Sequence, residues 1–207
     1  MAAPQPLSGS RRTRDRASQS TTATVRGYWS GSVMLPARSY GLRFIPDGFF
    51  EPGAADVLVV VGGGWAARDE AGAWGEVQRG DLLPILVLAR RSTPLVAGVC
   101  TGTMLLAHAG LVGSRRASTH HTASDDLQAL GATLVRDRVV DDGDLVTSGG
   151  VTSGIDLAVW LLEREVSREL ADAVADRMEY HRIRPTGIEL VPLPVAAQSR
   201  HRPAHWR

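Results

Sequence analysis

Cys100 is the only cysteine of the chain, and it lies in the segment Gly98-Val-Cys100-Thr-Gly102. An apolar run precedes the segment and apolar residues at helical spacing follow it, which predicts a strand, a sharp turn and a helix. This is the arrangement of a nucleophile elbow, with cysteine in place of serine. Glycine at 98 and 102 leaves room for a strained backbone, and the next helix favours the thiolate at its N-terminus. The sequence therefore predicts Cys100 as a catalytic nucleophile, with Gly98 and Gly102 as elbow glycines.

A cysteine nucleophile also needs donors for developing negative charge and a group that moves protons. Gly62-Gly63-Gly64 ends an apolar run of strand length, so its backbone N–H groups are expected at the carboxyl edge of a strand. Gly63 and Thr101 are the predicted oxyanion-hole donors. His120 follows a short predicted strand that ends at the same edge, where ligands of open α/β sheets bind. It is the predicted proton shuttle and second catalytic residue.

Each of these features also has a structural interpretation. A lone cysteine after a strand can be a small buried apolar residue, and the run Gly62–Gly64 can be an ordinary tight turn. Phosphate binding by this run is disfavoured, because the Gly-x-Gly-x-x-Gly spacing and a following Lys-Ser or Lys-Thr pair are absent from the sequence.

The adjacent histidines His120 and His121 could form a metal pair. Neighbouring histidines point in different directions, and no further cysteine can assist. Neither a metal nor a cofactor is therefore expected. His108 lies on the predicted elbow helix, where a structural role is expected.

Two groups of acidic residues are interpreted as structural. Asp156 lies one turn into a predicted helix, where its charge favours the helix N-terminus. Asp141, Asp142 and Asp144 surround Gly143 and are interpreted as a solvated turn, because the ligand spacing of a calcium loop is absent.

Strands and helices alternate through the middle of the chain. Strands are predicted at 55–61, 95–99, 116–119, 132–135, 138–140 and 145–147, and helices at 82–91, 101–109, 124–130, 151–166 and from Ser167. The pattern predicts an α/β fold, a doubly wound, mostly parallel sheet with helices on both faces. One domain is predicted at 39–186. Residues 1–38 are predicted to be disordered or non-native-like, and 187–207 to form a flexible tail.

The bulk composition disfavours several classes of partner. The chain has 23 basic and 22 acidic residues, a net charge of +1, so neither nucleic acid nor a membrane is expected as a partner. No apolar run approaches the roughly 18 to 20 residues of a membrane span. The basic start lacks the apolar stretch of a secretory signal. A single cysteine excludes an intramolecular disulfide, so a cytoplasmic location is expected.

Four segments of the chain form a recognisable set. They read Ala-Asp-Val-Leu-Val-Val-Val-Gly-Gly, Val-Ala-Gly-Val-Cys-Thr-Gly-Thr-Met-Leu-Leu-Ala, Gly-Leu-Val-Gly-Ser-Arg-Arg-Ala-Ser-Thr-His and Ser-Gly-Gly-Val-Thr-Ser-Gly-Ile-Asp. Together they resemble the DJ-1/PfpI family, in matching order and spacing across Ser39 to Arg184. The branch to which they are most similar contains isonitrile hydratases and the amidotransferase-like domains of some AraC-type regulators.

The resemblance implies a flavodoxin-like sandwich of the class I glutamine amidotransferase type, usually a homodimer. It implies that Cys100 is the nucleophile. Gly63 and the Thr101 N–H match the family's oxyanion-hole positions, and His120 matches a histidine found near the cysteine in several members. The implied activity is that of a cysteine-dependent hydratase or hydrolase acting on a small carbon–nitrogen substrate. In isonitrile hydratases, the cysteine attacks the isonitrile carbon and water then gives an N-substituted formamide.

The chain departs from the family before Ser39. Members begin with a strand and a loop that carries an acid beside the cysteine, and neither Asp15 nor Asp47 lies in a matching pattern. The first strand–helix unit is therefore expected to be missing, which would leave an open sheet edge. Two alternatives stay open: a non-catalytic ligand-sensing domain related to AraC-type regulators, and an inactive, N-terminally altered fragment. About 40 residues follow Val166, too few for the last helix and a helix-turn-helix module.

Overall fold

The computed structural model of the protein describes Glu51, Gly53 and residues 55–185, together with four short strands between residues 28 and 49. These strands are β1 (Tyr28–Trp29), β2 (Ala37–Ser39), β3 (Leu42–Phe44) and β4 (Gly48–Phe49). β1 pairs with β4 in parallel, and β2 pairs with β3 antiparallel. The rest of the segment 1–38 and the tail 187–207 lie outside the described residues. The domain boundaries therefore stay predictions.

Strands and helices alternate from residue 57 onwards. The strands are β5 (Val57–Val60), β6 (Leu95–Val99), β7 (Arg116–Ala117), β8 (Thr133–Leu134), β9 (Val139–Asp141) and β10 (Leu145–Ser148). The helices are α1 (Ala73–Arg79), α2 (Leu82–Ser92), α3 (Gly102–His108), α4 (Ser124–Ala129), α5 (Ser153–Glu165) and α6 (Arg168–Arg177).

A four-stranded sheet positions the site. Its order is β5-β6-β10-β9, with the first three strands parallel and β9 antiparallel to β10. Among the described residues, β5 pairs only with β6. Val59 on this outer strand is 42% exposed, and Val61, which follows the strand, is 67% exposed. β5 is therefore an edge strand in the described part of the chain.

Both faces of the central strand β6 are buried. Val96 packs with Met104 and Leu106 of α3 on one face, while Leu95 and Ala97 belong to the core on the other face. That second core includes Leu157 and Trp160 of α5. Side chains alternate across a strand, so the apolar run Leu95–Val99 serves two helical layers. The predicted α/β class, with helices on both faces of a mostly parallel sheet, is confirmed. Among the described helices, none is long and apolar enough to cross a bilayer.

The helix α1 was not predicted from the sequence. It contains Gly75, and a Cβ at that position would lie 2.4 Å from the carbonyl carbon of Glu70. Glycine disfavours a helix interior by about 1 kcal/mol relative to alanine, so the local pattern is weak. Packing against α3 stabilises the helix instead, and Gly80 closes it with a φ of 77°.

The interpretation of Asp141 as part of a solvated turn is wrong. Its carboxylate is buried and accepts hydrogen bonds from Trp160 Nε1 at 2.8 Å and from Arg164 Nη1 at 2.9 Å. Asp144 is exposed in the same turn. Asp141 ends β9, where the register turns its side chain toward α5, and both donors lie on α5. The acid-rich pattern of the turn concealed this contact.

Asp141→Asn is expected to lower the free energy of unfolding by about 2 kcal/mol, because hydrogen bonds to a charged acceptor contribute more than neutral ones. Asp144→Asn is the matched control. Its ion pairs with Arg90 and Arg115 are exposed, and such pairs contribute at most about 1 kcal/mol. Urea unfolding of both variants measures the difference. Equal destabilisation would contradict a special role for Asp141.

Two buried acids of α5 hold the segment that follows α6. Asp156 accepts hydrogen bonds from Arg138, from the hydroxyl of Tyr180 at 3.0 Å and from the N–H of Ile183 at 3.0 Å. Glu163, seven residues along the helix, pairs with Arg182 and Arg184. Asp156 therefore does more than favour the helix N-terminus. These contacts fix residues 180–184 against α5.

Candidate active site

The backbone at Cys100 has the geometry of a nucleophile elbow. Strand β6 ends at Val99, α3 begins at Gly102, and Cys100 lies between them with a φ of +58°. A non-glycine residue in this left-handed region is strained by roughly 1–3 kcal/mol and keeps this conformation only where its surroundings hold it. The cysteine is partly exposed. The turn therefore presents the thiol at the carboxyl edge of the sheet.

Close backbone packing explains the glycines around the elbow. A Cβ on Gly102 would overlap the carbonyl oxygen of Val60 and lie 2.7 Å from its carbon. A Cβ on Gly98 would lie 3.0 Å from Cα of Thr103, and one on Gly62 would lie 2.5 Å from the carbonyl carbon of Thr101. The end of β5 thus lies directly against the elbow, as the two glycine motifs predict.

Hydrogen bonds to neighbouring strands hold the elbow in place. The Cys100 N–H points to the carbonyl oxygens of Ser148 and Gly149, at 3.1 and 3.2 Å. Thr119 Oγ1 donates to the carbonyl of Cys100 at 2.9 Å. Thr119 was not singled out in the sequence. Its position next to His120, after a strand, is the signal that could have found it.

The two predicted oxyanion-hole residues are brought together, and one donor is already in use. The Gly63 N–H donates to Thr101 Oγ1 at 2.8 Å. In this arrangement the Thr101 hydroxyl accepts the Gly63 N–H, which is the group expected to donate to a substrate. Rotation of the Thr101 side chain would free the Gly63 N–H. The role of the pair as oxyanion donors stays a prediction.

His120 lies at the same edge but makes no hydrogen bond to the Cys100 sulfur. Its Nδ1 interacts with the Thr122 hydroxyl at 2.9 Å, and a Cβ on Gly150 would overlap its ring. Among the described residues, no hydrogen bond or ion pair involves the Cys100 sulfur. Burial, and next the charge of His121, lower the pKa of His120 below its ordinary value of 6.5. The imidazole is therefore neutral at pH 7.

An aromatic cleft of about 500 Å³ includes Trp65, Trp74 and Thr122 in its walls. Trp65 donates from Nε1 to Asp126 at 2.7 Å and packs against the ring of His108. His108 thus packs with Trp65, and its structural role stays a prediction. Burial lowers the pKa of His108, and the Asp126 carboxylate partly offsets this effect. In residues 55–185, no three potential metal ligands lie close enough together to hold an ion.

Comparison with known proteins gives matches to one family and to several of its relatives. A sequence model of the DJ-1/PfpI family matches residues 31–164. Isonitrile hydratase of Pseudomonas putida is 37% identical over 153 residues, which cover 73% of this chain and 64% of that protein. The HTH-type transcriptional regulator CdhR of Pseudomonas aeruginosa is 33% identical over 150 residues, which cover 71% of this chain and 42% of the regulator. The chain thus spans less than two thirds of either relative.

Solved structures share the fold. A THiJ/PfpI family protein from Pseudomonas syringae superimposes with a TM-score of 0.67 at 24% identity, over 77% of this chain and 65% of that one. Schizosaccharomyces pombe DJ-1 gives a TM-score of 0.57 at 17% identity, over 68% of this chain and 75% of that one. These likenesses and the sheet topology confirm the predicted flavodoxin-like fold. With its family match and its elbow at Cys100, the chain belongs to the DJ-1/PfpI family.

Proposed function

We propose that the protein is a cysteine-dependent hydratase that converts a small isonitrile into an N-substituted formamide. The observation that carries the proposal is the left-handed backbone of Cys100, which is partly exposed at the carboxyl edge of the sheet. The similarity to isonitrile hydratase, at 37% identity, supports this choice of substrate class. A strained, exposed cysteine between a strand and a helix is suited to nucleophilic attack.

The reaction balances with water alone. The Cys100 sulfur bonds to the terminal isonitrile carbon while that carbon takes up the thiol proton, which gives a thioimidate. Water then adds to this carbon, with its oxygen on carbon and one proton on nitrogen. The carbon–sulfur bond breaks, the remaining hydroxyl proton returns to sulfur, and the formamide leaves. No oxidant, reductant or metal is required.

Each predicted site residue has a task in this scheme. Gly63 and Thr101 would donate backbone hydrogen bonds to the oxygen that gains charge when water has added. His120, neutral at pH 7, would accept a proton from the attacking water. For this role Nδ1 must carry the ring proton and donate it to the Thr122 hydroxyl, in place of the 3.3 Å hydrogen bond that Nδ1 accepts from the Thr122 N–H. Nε2, on the side of Gly150, is then left to accept a proton.

The pH profile tests the role of His120. Only the neutral imidazole can accept a proton, and the pKa of His120 is lowered, first by burial and then by the charge of His121. We therefore expect kcat/KM to be constant around pH 7 and to fall as the pH drops through a value below 6.5. His121→Gln should move this fall to higher pH, because it removes the positive charge of His121, which lowers the pKa of His120.

Two variants serve as controls for the pH profile. His120→Ala should remove the fall and lower the rate by about 10²-fold. His181→Gln, on an exposed residue of the segment after α6, should leave the profile as it is. A fall that persists unchanged in His120→Ala would assign it to another group and reject His120 as the base.

The function itself is tested by incubating the purified protein with an aliphatic isonitrile, such as cyclohexyl isonitrile. The formation of N-cyclohexylformamide can be followed by proton NMR. Turnover above the rate in buffer supports the proposal. If the folded protein leaves aliphatic isonitriles of several chain lengths unconverted, the proposal is rejected.

The second candidate is a ligand-sensing domain without turnover. The similarity to CdhR favours it, as does the absence of a hydrogen bond to the Cys100 sulfur among the described residues. A small molecule that binds this protein and is recovered unchanged would support it. An inactive fragment, the third possibility, would neither bind nor convert such a molecule.

The remaining expectations are proposals about the assembly and its location. We propose a cytoplasmic homodimer that acts on a small molecule and engages neither nucleic acid nor a membrane. Light scattering during size-exclusion chromatography tests the dimer, since a mass near the 22.1 kDa of one chain would reject it.

A further inference from the structure

A second cleft includes both neighbours of His120, Thr119 and His121, in its walls. It has a volume of about 250 Å³ and is bounded by the segment after β7, the loop before β9 and the turn that opens α5. β9 is antiparallel, so the residues before it reach the same carboxyl edge as Cys100. We refer to this feature, whose walls include Ser124, Arg136 and Ser153, as the hydroxyl cleft.

Two wall residues of the hydroxyl cleft hydrogen-bond to the backbone of Cys100. Gly149 lies in the cleft wall, and its carbonyl accepts the Cys100 N–H. Thr119, another wall residue, donates to the Cys100 carbonyl. A Cβ on Gly149 would lie 3.1 Å from Ser153 Oγ and 3.9 Å from the carbonyl oxygen of Thr119. A group bound at Ser153 therefore lies beside the elbow.

Two serine hydroxyls in this cleft have no partner. Ser124 and Ser153 are only 7% and 4% exposed, and neither side chain makes a hydrogen bond to any described residue. Neither hydroxyl oxygen is among the fully buried polar atoms that lack a partner, so both are accessible from the cleft. Both residues begin helices, α4 and α5, at the wall of the cleft. These hydroxyls are suited to hydrogen-bonding a ligand.

The charges around the cleft favour an anionic ligand. Arg136 lines it and has no ion-pair partner among the described residues. Arg138 also lines it, although Asp156 already binds its guanidinium. Asp137 is the acid in the wall, and it has an interaction of its own. The remaining ionisable wall residue, His121, is exposed. Arg136 is thus the charged group that is free to bind a ligand.

We propose that the hydroxyl cleft binds a carboxylate carried by the substrate, through Arg136 and the hydroxyls of Ser124 and Ser153. The inference rests on the proposed hydratase function and narrows it to isonitriles with an acidic substituent. A guanidinium and two hydroxyls match the acceptor sites of a carboxylate, and charge-assisted hydrogen bonds are the strong ones. The smallest such substrate is isocyanoacetate.

The test compares isocyanoacetate with its methyl ester, which differs only in the charge. The wild-type protein is expected to hydrate the acid with a kcat/KM at least about tenfold above that of the ester. Arg136→Gln and Ser153→Ala should each reduce this ratio toward one. Arg91→Gln, on the exposed face of α2, is the matched control and should retain the ratio. Equal rates for acid and ester, or an unchanged ratio in both cleft variants, would overturn the proposal.

A binding experiment separates this inference from the proposed function. Cys100→Ala protein, which cannot turn over substrate, is titrated with N-formylglycine and with its methyl ester by calorimetry. Binding of the acid alone, weakened in the double variant with Arg136→Gln, supports the subsite even if no isonitrile is hydrated. Acetate or inorganic phosphate binding as tightly as N-formylglycine would reduce the cleft to a general anion site and reject a substrate subsite.

Discussion

Cys100→Ala is expected to lower the rate of formamide formation by roughly 10⁴-fold or more, because loss of the nucleophile removes the covalent route. Alanine removes only the sulfur atom and leaves the Cβ in place. The shape of the turn, and with it the binding of product, should therefore be retained. The measurement is the initial rate of formamide production from an aliphatic isonitrile, followed by proton NMR. Turnover that survives in Cys100→Ala would refute the assigned nucleophile.

Cys100→Gly is the informative partner of this variant. It also removes the sulfur, but glycine adopts a φ of +58° without strain. The free energy of unfolding of Cys100→Gly should therefore exceed that of Cys100→Ala by about 1 kcal/mol. If both variants are inactive but the glycine variant is more stable, the backbone at position 100 is strained in any residue that carries a Cβ. Equal stability would show that the surroundings, and not the residue type, determine the backbone at position 100.

Gly102→Ala is expected to destabilise the protein by about 3 kcal/mol or to prevent folding, since overpacking of rigid groups is seldom relieved. The added Cβ would overlap the carbonyl oxygen of Val60, and its other close neighbours, the carbonyl carbons of Val60 and Val61, are also backbone atoms. Backbone atoms cannot rotate away as a flexible side chain can. Denaturant unfolding measures the loss, and the yield of soluble protein reports the extreme case.

Gly154→Ala is the matched control for this substitution. Gly154 also lies near the start of a helix, α5, but its added Cβ would meet only Val99 Cγ1 at the ordinary distance of 3.4 Å. Here alanine should stabilise the helix by about 0.5–1 kcal/mol. Glycine-to-alanine substitution is thus expected to lower the free energy of unfolding at position 102 and to raise it at position 154. A Gly102→Ala protein as stable as the wild type would show that the elbow does not pack tightly against β5.

The elements around Cys100 could be predicted because several local signals agree there. Strand β6 has the predicted bounds, and α3 begins one residue after the predicted start. The apolar run, the flanking glycines and the helical spacing all indicate one geometry, which is when sequence interpretation is most dependable. Helix α1 lacks this agreement, because its glycine disfavours a helix, and packing against α2 and α3 stabilises it.

The side-chain contacts of the site could not be predicted. Asp141 lies in an acid-rich turn, yet the sheet register directs it to Trp160 and Arg164, 19 and 23 residues away. Ser124 and Ser153 come together at one cleft because α4 and α5 both begin there. No periodicity or motif in the sequence indicates either of these two arrangements. They depend on how separate elements pack, which only the folded chain reveals.

The anchoring of residues 180–184 by Asp156 and Glu163 sets a limit for any shortened version of this protein. A chain cut after Arg177 would keep both acids inside α5 but lose Tyr180, Arg182 and Arg184. Asp156 would keep its ion pair with Arg138, but Glu163 would lose both of its ion-pair partners, and uncompensated charge in a protein interior is strongly unfavourable. The truncated domain would have to hydrate the Glu163 carboxylate by loosening α5, whose first turn packs against the strand that leads to Cys100. A distant deletion would thereby disturb the turn at Cys100.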